Sequence, residues 1–199
     1  MRPDFTLFKA ITPRLLARTL GWIIPCLCLL GAKVQAQPTA LREYDVKAAF
    51  LYNVAKYTDW PPEAFSVPSG PIIIGVLGED PFGEVLDRIT HERVINGHPI
   101  VVLRARGIAE LRNAHLVFIS PSESPHVAQD CAAIEKFHVL TIGDTAQSAP
   151  FTAVNFGFEN DKIVFSVDLN RAAQAGVNLS SKLLRLAKSV VRPDKAMTK

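Results

Sequence analysis

Between residues 41 and 59 the chain has neither glycine nor proline, and Leu41, Tyr44, Ala48, Leu51 and Ala55 recur every three or four residues. That spacing predicts a helix, and Phe50, Val54 and Tyr57 widen its apolar face enough to lay it deep against the rest of the domain. Trp60-Pro61-Pro62 ends the pattern, because proline steers the preceding residue away from helical dihedrals; an aromatic before proline also makes this bond a candidate for the cis form. After a polar connector at 65–71, unbroken apolar runs follow at 72–77, 100–103, 116–119 and 139–142. Continuous apolarity predicts strands buried on both faces. Helix-compatible segments near 82–90, 108–113 and 124–136 separate them. The alternation specifies an α/β fold: a single domain with a mostly parallel sheet flanked by helices and joined by right-handed crossovers. Asn96-Gly97 marks a turn just before the second strand.

Toward the C-terminus the period changes to two. The segments 153–158 and 163–167 flank Glu159-Asn160-Asp161-Lys162, which predicts an antiparallel hairpin extending the sheet. A short helix at 171–175, stopped by Gly176, is expected next. A longer helix is expected over 180–191, with Leu183, Leu184, Leu186, Ala187 and Val190 apolar and Asn178, Ser180 or Ser181 capping its start. Lys182, Arg185, Lys188 and Arg192 then form its solvated side, and residues 193–199 are read as a frayed tail.

Charge changes the picture only at the N-terminus. The 199 residues carry 22 basic and 19 acidic side chains, a net +3. Five of the basic residues but only one acidic residue precede Gln37, so the remainder stands at −1. Arg2, Lys9, Arg14 and Arg18 lead into an apolar run at 20–30, followed by Val34-Gln35-Ala36 with small residues at the positions a signal peptidase reads. Residues 1–36 are therefore read as a cleavable secretory signal and 37–199 as an exported, periplasmic domain. The apolar run is shorter than a membrane span requires. A nearly neutral product has no electrostatic reason to bind nucleic acid. Cys26 and Cys28 leave with the signal, so Cys131 alone remains. No internal disulfide can form, and a buried, inert thiol is the expectation.

Catalytic patterns are missing. Gly75, Gly78 and Gly83 do not make a dinucleotide fingerprint, and Glu79-Asp80 would repel a pyrophosphate; Asp80 is expected instead to cap the next helix with Pro81 in its first turn. A phosphoacceptor site lacks its aspartate, since the third strand runs into Ser120, and no lysine follows Gly143-Asp144. Neither a G-x-S-x-G elbow nor an S-x-x-K pair is present. His91, His98, His115, His126 and His138 are spaced unlike metal ligands. The reading is thus of no catalytic residues, no metal and no cofactor. The ends of the parallel strands still offer a crevice for a small-molecule ligand, with Gly78, Asp80, Phe82, Ser120, Ser122 and Asp144 as its candidate residues. Tyr57 and Trp60 are the candidate partner-binding aromatics.

Three blocks stand in a recognisable order: Tyr44-Asp45-Val46-Lys47-Ala48-Ala49-Phe50-Leu51-Tyr52-Asn53-Val54-Ala55-Lys56-Tyr57 with Trp60-Pro61, then Gly75-Val76-Leu77-Gly78-Glu79-Asp80-Pro81-Phe82-Gly83, then Ser180-Ser181-Lys182-Leu183-Leu184-Arg185-Leu186-Ala187. Together they resemble the YfiR family of bacterial periplasmic proteins over essentially the whole of 37–199. The resemblance implies a repressor that binds the periplasmic domain of an inner-membrane diguanylate cyclase and lowers cyclic di-GMP, itself catalysing nothing. A solute-sensing module that passes a signal to a membrane partner is the alternative, and a homo-oligomer is left open. The chain departs from the family after Asp144, where Thr145-Ala146-Gln147-Ser148-Ala149-Pro150-Phe151 replaces the usual glycines, and at Asp168, where asparagine is common. The cysteine pairing of some relatives is impossible with Cys131 alone.

Overall fold

The computed structural model describes residues 38–193, with side-chain surroundings from Glu43 onward. The apolar run at 20–30, the cleavage motif at 34–36 and the tail from 194 lie outside the described residues. The chain opens with α1 (Pro38–Lys56), and no helix among the described residues is long and apolar enough to cross a membrane. There follow β1 (Thr58–Asp59), β2 (Ile72–Leu77), α2 (Glu84–Thr90), β3 (Val94–Ile95), β4 (His98–Ala105), β5 (Leu116–Ile119), α3 (Val127–Ile134) and β6 (Leu140–Gly143). The last third holds β7 (Val154–Glu159), β8 (Lys162–Asp168), α4 (Leu169–Gln174), β9 (Asn178–Leu179), α5 (Ser181–Leu184) and β10 (Ser189–Val191).

Eight strands form one sheet in the order β3-β4-β2-β5-β6-β7-β8-β10, while β1 and β9 make a separate antiparallel pair. From β4 through β7 every neighbouring pair is parallel. The β7–β8 hairpin is antiparallel, as the period-two pattern predicts. Alternation along β2 divides the core. Ile72, Ile74 and Val76 join Leu51, Val54, Leu86, Phe118 and Phe165 on the face covered by α1 and α2. Leu77 joins Leu111, Val117, Val127 and Ile134 in a second cluster beneath α3. Gly75 lets that second layer come close, since a Cβ there would lie 3.0 Å from Leu111 Cδ2.

Several expectations are corrected. The segment 180–191 is not one helix: α5 stops at Leu184, and Lys188 donates its N–H to Phe165 O at 2.8 Å as β10 pairs in parallel with β8. The exposed side of β8 offers unpaired backbone groups, and the β-branched pair Val190-Val191 suits a strand. Of the three proposed caps, Ser180 serves, accepting from Leu183 N. The segment 108–113 shortens to a 3-10 turn over Ile108–Leu111. Asn96-Gly97, both at positive φ, closes a hairpin whose first strand, β3, is the sheet edge. That edge position leaves β4 covered on one face only, with Val101 46% and Leu103 39% exposed rather than buried on both sides. Every described peptide bond is trans, Trp60–Pro61 included.

Candidate functional site

Chain order and strand order disagree at one place: from β2 the chain moves outward to β4, then returns to place β5 on the other side of β2. Loops leaving the carboxyl ends of β2 and β5 therefore diverge, and this switch point is where open α/β sheets form ligand crevices. A depression of about 440 Å³ opens there, lined by Tyr44, Asp80, Ser120 and Ser122 together with Glu79 and the two loop prolines.

The β2 loop is held open by specific contacts. Gly78 has φ +88°, and a side chain there would collide with Ser122 Oγ, which accepts from Glu79 N at 3.0 Å. Asp80 does not cap α2, whose N-cap is Gly83 without a side-chain bond. Instead Asp80 Oδ1 accepts from Phe82 N at 2.8 Å, and Oδ2 accepts from Arg104 Nε at 2.6 Å. Arg104 also grips Asp87 through both terminal nitrogens and Gly83 O through one, and its carboxylate partners, Asp87 foremost and then Asp80, raise its pKa further. The guanidinium thus takes the carboxylate that the sequence assigned to the helix, and the turn closes over it.

Phe82 is buried, edge-on to Tyr44 at 5.5 Å and to Phe118 at 4.7 Å, so it supports the depression from below. Ser120 is also buried. Asp144, at the end of β6, lies under α1 rather than in the depression: its side chain is 3% exposed, Lys47 Nζ donates to Oδ1 at 2.5 Å and Tyr44 Oη to Oδ2 at 2.9 Å. Lys47 also donates to Glu43. Burial pushes the Asp144 carboxyl above the usual carboxylate range despite the opposing pull of Lys47, and burial next to Asp144 raises the Tyr44 phenol. Sequence reasoning found Asp144 but not its partners, which lie 97 and 100 residues away.

Behind Gly143 the Thr145–Phe151 loop is tied down by Ser148, whose hydroxyl donates to Asn155 Oδ1 at 2.6 Å and whose N–H reaches Thr145 Oγ1. A side chain at Gly143 would strike Ser148 Oγ and Asn155 Oδ1, so this loop, where the chain departs from the family pattern, has its own lock.

Tyr57 and Trp60 lie apart from the depression, packed half-buried against the first core cluster. The Trp60 indole donates to His115 O at 3.1 Å, and its ring meets that of His115 edge-on at 5.6 Å. His115 is 3% exposed: Nδ1 accepts from Ile73 N at 3.2 Å, while Nε2 is buried without a partner. Burial, with His98 nearby, lowers its pKa to about 4. Cys131 is buried, and its thiol is pushed up to about 12 by burial. Arg171 stands close enough to oppose that shift, a basic neighbour the local sequence does not reveal. Among the described residues no group of three or more His, Cys, Asp or Glu is placed to hold a metal.

A YfiR/HmsC-like family model matches residues 44–188, spanning all three recognised blocks and every strand from β1 to β9. The chain belongs to the YfiR/HmsC-like family. No curated protein matches the sequence. Among solved structures, a conserved domain protein from Vibrio cholerae is 10% identical with a TM-score of 0.50, over 74% of this chain and 60% of that one. An ABC domain from Streptococcus pneumonia in complex with L-Trp gives 0.44 at 10% identity, over 72% and 60% of the two chains. The first likeness places the YfiR/HmsC-like chain in the same broad α/β fold. The chain spans about 60% of the length of the structures it matches.

Proposed function

We propose that this YfiR/HmsC-like protein is a periplasmic regulator that binds the periplasmic region of an inner-membrane diguanylate cyclase and represses it, catalysing nothing itself. The family match over residues 44–188 carries the reading. A repressor works by binding one state of its partner more tightly than another, and a differential of about 1 to 3 kcal/mol changes output several-fold or more. The partner surface in this reading is the one-sided edge hairpin, where Val94, Val101 and Leu103 are 59%, 46% and 39% exposed. Contiguous apolar side chains of this kind on a folded surface favour a protein partner. Tyr57 and Trp60 form the competing surface, with less to offer because the Trp60 indole N–H is already used.

The test is affinity capture of tagged protein against detergent-solubilised membranes of its own organism. Enrichment of an inner-membrane protein with a cytoplasmic cyclase domain supports the reading. No enrichment above a tag-only control, at low and moderate salt, refutes it. A second reading, solute sensing, is favoured by the depression at the switch point. It requires that some solute raise the melting temperature by binding there, and that Ser122→Trp abolish the effect.

A further inference from the structure

Beside the second core cluster, between α3, α4 and Phe151, lies a separate cavity of about 160 Å³. Ile134, Val139 and Phe151 give it apolar walls, with Ala128 and Ala132 at its mouth. One cation enters it. Arg171 stands 6.0 Å over the Phe151 ring, and its Nε is buried with no hydrogen-bond partner. Asp168 Oδ2 lies 3.9 Å from that nitrogen, beyond hydrogen-bonding distance, while Asp168 Oδ1 is occupied by Asn170 N. A buried donor without an acceptor is costly, and with the side chain as a whole 33% exposed the guanidinium remains open to an anion.

We propose that this cavity binds a small monocarboxylate with a compact apolar body, the carboxylate on Arg171 and the body against Ile134, Val139 and Phe151. Size agrees, since apolar cavities of about 150 Å³ admit a benzene ring. Charge narrows the class. Asp168 and Glu135, which lines the cavity, are both negative, so they disfavour a phosphate or a dicarboxylate while one carboxylate can still dock on the guanidinium. Thr141 Oγ1 accepts from Ala153 N and its hydroxyl is turned to the Cys131 sulfur, so the guanidinium is the donor left for the ligand carboxylate. The Cys131 thiol stays neutral and does not repel an anion. The site does not depend on the partner reading, and neither failure entails the other.

The probes are benzoate, its neutral analogue benzyl alcohol, and inorganic phosphate, titrated into the purified protein by calorimetry and followed by amide NMR shifts. Benzoate is expected to bind at least ten-fold more tightly than benzyl alcohol, with shifts centred on Cys131, Thr141 and Phe151. Arg171→Gln should remove that preference, and Ala132→Phe, which obstructs the mouth and keeps the arginine, should abolish binding of both. Equal binding of benzoate and the alcohol, tighter binding of phosphate, no binding of benzoate, or shifts confined to the depression at Tyr44 and Ser122 would each overturn the proposal.

Discussion

Replacing His115 by asparagine should flatten a large part of the protein's stability loss in mild acid. The ring sits between Trp60 and Phe65 with Nδ1 taking the Ile73 N–H, so a second proton has nowhere to go without turning an N–H toward another N–H. Burial accordingly lowers the pKa from 6.5 to about 4. Unfolded, the same group titrates near 6.5. Between these values the unfolded chain binds the extra proton and the folded one does not, so stability is full above pH 6.5 and falls as pH drops toward 4. Working this through from pH 8 to pH 5 gives a loss of about 1 to 2 kcal/mol from this residue alone. With a urea slope of about 2 kcal/mol per molar, the midpoint moves by roughly 0.5 to 1 M. Trp60, 5.6 Å from the ring, supplies the fluorescence signal. The substituted side-chain amide can accept from Ile73 N but cannot titrate, so His115→Asn should be weaker at pH 8 from lost ring packing, yet less sensitive to acid by that same 0.5 to 1 M. Asp144, shifted the other way, contributes equally to both proteins and cancels. Parallel pH profiles for the two would refute the assignment of the lowered pKa to His115.

Lys47→Met should destabilise by about 3 to 5 kcal/mol in urea denaturation because it strands the buried Asp144 carboxylate, and adding Asp144→Asn should recover at least half of that loss. Gly143→Ala should cost about 2 kcal/mol or more by forcing Ser148 and Asn155 apart, whereas Gly107→Ala, whose new methyl meets only Glu110 Oε1 at 3.5 Å, should change the melting temperature little. Val101→Ser with Leu103→Ser should lower recovery of the membrane partner at least ten-fold with the fold intact by circular dichroism, since neither side chain belongs to the buried core.

The parallel strands could be read from the sequence because each is an unbroken apolar run, and burial on both faces leaves that trace in any local window. The C-terminal segment could not. Leu183, Leu184, Leu186 and Ala187 fit a helical stripe as well as a turn, and only the open flank of β8, some twenty residues upstream, draws Ser189–Val191 into the sheet. Asp80 shows the same limit at the site. Its position before Pro81 reads as a helix cap, but Arg104 from β4 takes the carboxylate, and nothing local announces that partner. Gly78, Asp80, Ser120 and Ser122 gather at one end of the sheet because strand ends are legible. Tyr44 and Lys47 stayed invisible as site residues because their helical spacing reads only as a packing face.

Both margins of the sheet are very short strands, two residues in β3 and three in β10. The two residues of β3 cover only His98 and Pro99, however, so the outer edge of β4 from Val101 to Ala105 runs without a strand partner among the described residues and is open to pairing with another chain. Recognition at this margin can therefore draw on backbone hydrogen bonds as well as on the exposed Val101 and Leu103 side chains, so whom the protein binds and whether it aggregates are tied to the same strand.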